Sequence, residues 1–110
     1  MDCIFCRIIA GEIPSTKVYE DEQILAFQDI EPQAPVHVLV VPKQHIEGAA
    51  KIAAENAPVV AHVFETIPQI AATLGLKDFR VVTNNGESAG QTVHHLHFHI
   101  LGGRTLGSMG

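Results

Sequence analysis

A chain of 110 residues leaves room for one domain and no second, and 46% hydrophobic residues exclude a disordered polymer. The net charge is −5 and the seven Lys and Arg are scattered. That excludes a nucleic-acid surface, which needs clustered cations, but leaves open one small phosphorylated ligand held by backbone N–H groups and histidines. No apolar run is long enough to span a membrane, and Met1-Asp2-Cys3-Ile4-Phe5-Cys6-Arg7 lacks the apolar length of a signal peptide, so a reducing, cytoplasmic setting is expected.

In chain order, residues 5–10 predict one or two helical turns, ended by Gly11 and Pro14. Thr16 to Tyr19 and Ile24 to Gln28 read as strands joined by the acidic turn Glu20-Asp21-Glu22, a hairpin. Pro32-Gln33-Ala34-Pro35 is a stiff connector. Val36-His37-Val38-Leu39-Val40-Val41 is almost continuously apolar, as a central strand covered on both faces would be, and Pro42 stops it.

From Gly48 to about Leu74 the Ala-rich chain predicts a short helix and then a longer one. Asn56 is the expected cap, Pro58 sits in the first turn, and Val59, Val63, Ile67, Ile70 and Leu74 share one face. Pro68 lies inside that pattern and predicts a kink or a break. Gly75 ends the helix. Phe79 to Thr83 is a strand, Asn84-Asn85-Gly86 a turn, and His95 to Leu101 a final strand. The order predicts an α+β domain: a mainly antiparallel five-stranded sheet with helices on one face.

The final strand carries the chemistry. Alternation puts His95, His97 and His99 on one side and Leu96, Phe98 and Ile100 on the other. The second set has a core role; the first has none. A solvated polar face is one reading. A single metal on all three rings is another, but His95 and His99 stand roughly 13 Å apart in an extended chain. A division of labour is favoured, in which one ring attacks, one is fixed elsewhere and one serves a phosphate or leaving group. Cys3-x-x-Cys6 has the spacing of half a zinc site. A thioredoxin-like redox motif is its rival, but that motif should follow a strand and Cys3 has almost no chain before it. The remaining histidines take plain roles: His37 as a satisfied sheet residue, His62 on a helix surface, His94 pointing away from the other three. Phe5, Phe64, Phe79 and Phe98 are expected in the core.

His95-Leu96-His97-Phe98-His99-Ile100-Leu101 resembles the signature of the histidine triad (HIT) superfamily. Gly90-Gln91-Thr92 and Leu101-Gly102-Gly103-Arg104 resemble its nucleotide-binding, phosphoramidase (HINT-like) branch. Upstream similarity runs through Ile4-Phe5, Glu12-Ile13-Pro14, Phe27-Gln28-Asp29-Ile30, Pro32 to Pro35, Val41 to His45 and Val82 to Gly86, so residues 1–110 are expected to form a single HIT domain.

The resemblance implies a homodimer that binds a purine nucleotide or nucleoside phosphoramidate. His97 would attack the α-phosphorus and form a nucleotidyl-histidine that water hydrolyses. His99 would meet the phosphate oxygens and assist the leaving group, and Thr92, in place of the family's usual serine, would keep the hydroxyl beside them. Gln91, Gly90 and Asn84 would lie near the phosphate, Asp29 would bind the ribose, and Ile4, Phe5, Phe27 and Ile30 would wall the base. A structural zinc would be held by Cys3, Cys6, His45 and His95, with His95 thereby orienting His97. Hydrolysis of dinucleoside polyphosphates, or a nucleotide-binding regulatory role with slow turnover, are the alternatives.

Overall fold

The computed structural model describes residues 3–110; Met1 and Asp2, the start of the Met1 to Arg7 stretch read above, lie outside the described residues. The element order is α1 (Ile4–Ile9), β1 (Lys17–Glu20), β2 (Ile24–Gln28), β3 (Val36–Pro42), a 3₁₀ turn (Ala49–Lys51), α2 (Ala57–Thr73), β4 (Phe79–Val82), a second 3₁₀ turn (Glu87–Ala89) and β5 (Phe98–Gly102). The five strands form one sheet in the order β1-β2-β3-β5-β4, and every neighbouring pair is antiparallel. The α+β architecture expected from the sequence is present.

Both helices end for the same reason. Gly11 (φ 81°) and Gly75 (φ 72°) take the left-handed conformation that other residues rarely adopt. At α1, Gly11 N–H donates to the Ile8 carbonyl and Glu12 N–H to Arg7; at α2, Gly75 N–H donates to Ala72 and Leu76 N–H to Ala71. These paired bonds satisfy last-turn carbonyls that would otherwise lack donors.

The two faces of β3 explain its unbroken apolar run. Val38 and Val40 join Ile24, Ala26, Leu96, Phe98 and Ile100 under α2, which contributes Val59, Val63, Ile67 and Ile70. Leu39 and Val41 join Leu25 and Phe27 on the other face, under Phe5 and Ile8 of α1. The long helix therefore covers one face as expected, and the short first helix takes the other.

Four local expectations need correction. α2 runs through Pro68 without a break. Pro68 is exposed, so solvent can take over the Phe64 carbonyl, while Val63, Ile67 and Ile70 stay buried on both sides of it. Asn56 precedes α2 but makes no capping bond. Its side chain instead accepts from Ala53 N–H at 2.8 Å and donates to the Lys51 carbonyl at 3.1 Å, clipping the preceding loop. The last strand begins at Phe98 rather than His95; its ladder to β3 starts at Val40↔Phe98, and the approach carrying His95 and His97 is bent. Phe5 and Phe98 are core residues, but Phe64 and Phe79 are 51% and 37% exposed.

Candidate active site

The segment Thr92 to His99 runs along the α1 face of the sheet. Leu96, Phe98 and Ile100 point into the α2 core, so alternation turns His95, His97 and His99 the other way even before the strand begins. The backbone there is fixed from outside: Leu96 N–H donates to the Ile46 carbonyl at 2.6 Å, and Thr83 Oγ1 donates to the His97 carbonyl at 2.8 Å.

The hydrogen bonds of these rings fix their tautomers. A carbonyl can only accept, so His97 Nδ1–H donates to the His95 carbonyl at 2.6 Å, leaving a lone pair on Nε2. His95 Nε2–H likewise donates to the Pro42 carbonyl at 2.8 Å, leaving the lone pair on Nδ1. His37 is settled from the opposite side. Gln33 N–H donates to its Nδ1 at 3.0 Å, so the neutral ring carries its proton on Nε2. That proton faces His99 Nδ1 at 2.9 Å, which must accept, so His99 holds its own proton on Nε2. Asp29 Oδ2 lies 3.4 Å from the same His37 Nε2.

Electrostatics keep the rings neutral. Burial pushes the basicity of His97 and of His37 below the ordinary histidine range, partly offset by the His95 carbonyl for the first and by Asp29 for the second. Burial, then neighbouring His97 and His37, push His99 down to about 4. Phe5 fixes the His97 ring by an edge contact, with centroids 5.0 Å apart.

His97 and His99 open onto a cavity of about 260 Å³. Its walls include Ile4, Phe5, Phe27, Ile30, Leu39 and Val93, and its polar groups include Asp29, Thr92, His97 and His99. An apolar slot with a few convergent polar groups suits a small aromatic ligand with one polar end. Most residues expected to contact a nucleotide meet here. The exceptions are instructive. Gln91 is buried, and its amide is consumed by the loop: Nε2 donates to the Glu47 and Val93 carbonyls, and Oε1 accepts from Gly86 N–H. Gly90 and Asn84 pack together off the cavity, a Cβ on Gly90 standing 3.4 Å from Asn84 Nδ2. His95 is fully buried and meets the cavity only through its carbonyl bond to His97.

His37 is the residue that sequence reasoning missed. Its strand position gave only a face, and His37 sits diagonally from His99 across the β3–β5 ladder, where Leu39 pairs with His99. Knowing which strand lay beside β5 would have found it.

A second cluster lies beneath α1. The ligand atoms of Cys3, Cys6, His45 and His95 all lie within 4.8 Å of one another. Cys3 Sγ and His95 Nδ1 are 3.3 Å apart, Cys6 Sγ and His45 Nδ1 3.4 Å, Cys6 Sγ and His95 Nδ1 3.6 Å, and the two Nδ1 atoms 3.2 Å. A zinc tetrahedron with bonds of about 2.0–2.1 Å to nitrogen and about 2.3 Å to sulfur has edges of about 3.3–3.8 Å. The donor set and its spacing fit such an ion, and the bond to Pro42 already aims the His95 lone pair inward. Burial and neighbouring Cys3 push the Cys6 thiol up to about 11, so without a metal Cys6 holds its proton at neutral pH. Asp29, His37 and His99 also lie close enough to share an ion. There the Gln33 N–H keeps the His37 proton on the nitrogen a metal would need, so hydrogen bonding satisfies that trio instead.

A family model described as HIT domain matches residues 10–106. The chain belongs to the HIT family. Among solved structures it is similar to a HIT family hydrolase from Clostridium thermocellum, with a TM-score of 0.94, 46% identity, and 98% of this chain and 96% of that one covered. It is also similar to a hypothetical histidine triad nucleotide-binding protein from Sulfolobus tokodaii, with a TM-score of 0.79, 37% identity and coverage of 90% and 67%. A 14 kDa zinc-binding protein from Zea mays is 46% identical over 106 residues, covering 94% of this HIT protein and 83% of that one.

Proposed function

We propose that this HIT protein is a nucleotidyl hydrolase, specifically a purine nucleoside phosphoramidase. The observation that carries the reading is the fixed tautomer of His97, which leaves Nε2 unprotonated on a ring that lines a mostly apolar cavity of about 260 Å³. The family and the hydrolase among its similar structures support it.

The base lies among Ile4, Phe27 and Ile30, the ribose meets Asp29, and the phosphate meets Thr92 and His99 Nε2–H. His97 Nε2 forms the N–P bond as the P–N bond of the substrate breaks. The departing amine takes up a proton that enters from solvent past His99. The positive ring left on phosphorylated His97 keeps Nδ1–H on the His95 carbonyl, which stabilises that charge. Water then attacks phosphorus, releasing the nucleoside monophosphate and restoring neutral His97. His99, neutral because its basicity is lowered, donates a hydrogen bond from Nε2–H while the proton for the amine comes from solvent.

Cys3, Cys6, His45 and His95 hold one zinc ion, which supplies a rigid tie between α1 and the catalytic segment and no reacting oxygen. The protein acts in the cytoplasm as a homodimer of single-domain protomers. The exposed Phe64 and Phe79 and the outer edge of β4, which pairs with no other strand among the described residues, favour that assembly. Among the described residues no helix is long and apolar enough to cross a membrane.

The test is quenched turnover of an adenosine phosphoramidate followed by mass spectrometry. A nucleotidyl adduct on His97, with cleavage abolished in His97→Ala, is the expected result; an adduct on another residue overturns the reading. Purified protein should carry about one zinc per chain, consistent with one tetrahedral site. A Cys3→Ala/Cys6→Ala variant that kept all its metal would remove the zinc assignment.

A further inference from the structure

A second cavity of about 390 Å³ adjoins the nucleotide pocket, lined by Cys3, Ile4, His45, Glu47, Thr92, Val93 and His94. Ile4, Thr92 and Val93 line both, so they form the ridge between them. A phosphate beside Thr92 sits on that ridge. A substituent on its far side from the nucleoside would extend into the second cavity.

Among the described residues, Glu47 is the one carboxylate that lines this cavity, and no Lys or Arg lines it. Lys51 lines the next depression along, together with Glu47 and His94. His94 is exposed and stands 3.8 Å from Glu87. The Glu47 carboxylate has no hydrogen bond or ion pair among the described residues. Its backbone, by contrast, is held firmly. The Ile46 carbonyl accepts Leu96 N–H at 2.6 Å, and the Glu47 carbonyl accepts Gln91 Nε2–H at 2.7 Å. The same two bonds anchor the histidine segment, so the carboxylate projects from a mount built into the active-site loop.

We infer that this cavity is the leaving-group subsite, and that Glu47 selects departing amines bearing a second positive charge. The inference rests on the hydrolase reading and adds the substrate class. An ammonium or guanidinium held away from the scissile nitrogen would meet the free carboxylate, while a carboxylate or phosphate there would be repelled. Because Glu47 is exposed, the selection has the size of a solvent-facing ion pair, roughly two- to fivefold in kcat/KM, and it weakens as salt is raised.

The experiment compares two adenosine phosphoramidates of equal chain length, one made from a plain alkylamine and one from a diamine with a free terminal ammonium. Each is measured as kcat/KM with the zinc-loaded wild type, Glu47→Gln and Glu47→Lys. The expected ratio favours the diamine substrate in the wild type, approaches one in Glu47→Gln and inverts in Glu47→Lys. Cleavage of both substrates at the same ratio in all three proteins overturns the selection and leaves the hydrolase standing. Cleavage of neither by the wild type overturns both.

Discussion

His37, His95, His97 and His99 each have a ring nitrogen whose hydrogen-bond direction is forced by a backbone partner or by the neighbouring ring. At residue scale this decides more than the spacing of the triad does. His37 is a positioning residue: its Nε2–H tells His99 Nδ1 to accept and so keeps the His99 proton facing the cavity. His37→Phe should therefore lower kcat by roughly 10- to 100-fold with little change in KM, the pattern of a misoriented ring. A fall in KM affinity alone would point to a lost wall instead. Alternation singled out His95, His97 and His99 as a row with no core purpose, and only the family resemblance gave His97 and His99 separate roles. The resemblance implied Gln91 beside the phosphate; in the structure its side-chain amide nitrogen donates to the Glu47 and Val93 carbonyls.

At the scale of elements, α2 is fastened to the β1–β2 hairpin by one polar knot. Asp21 Oδ2 receives His62 Nε2–H at 2.6 Å and Tyr19 O–H at 2.8 Å, while Oδ1 accepts Gln23 and Ile24 N–H. Burial alone would raise the Asp21 carboxyl, but these donors outweigh it and hold it well below the usual carboxylate range. A native value below the unfolded one stabilises the fold above about pH 3.9, and that contribution disappears as pH falls through the native value. Denaturant titrations of wild type and Asp21→Asn should accordingly differ near neutrality and converge in acid; a gap that widens in acid would contradict this. Beneath the knot, Ile70 is fully buried in the α2 core, and Ile70→Ala should cost about 2–5 kcal/mol by chemical denaturation. The periodicity that revealed α2 is a local property. Where a kink or a break was expected at Pro68, the helix continues, because apolar contacts on both sides outweigh one lost backbone bond.

For the molecule as a whole, five strand-like runs were visible in sequence, but their order across the sheet was not, since it depends on pairings between distant segments. That order is what sets His37 beside His99 and leaves β4 at an edge. It also explains Phe64 and Phe79: both look like core residues in one dimension, yet both stand exposed, 51% and 37%. If they form the proposed dimer face, the wild type should sediment at about twice the 11.9 kDa chain mass. Phe79→Asp should shift it to monomer, with unchanged far-ultraviolet circular dichroism as the control for folding. A wild type that sediments as a monomer would reassign the apolar patch.

Cys3 and His95 face each other from positions 92 apart in the chain. A metal bridging them would knot almost the entire polypeptide into a ring, and a loop of that length removes about 4–5 kcal/mol of freedom from the unfolded ensemble. Unlike a disulfide, such a fastening opens without a reductant, so chelation would relax the whole chain and the wall of the cavity beside His97 together.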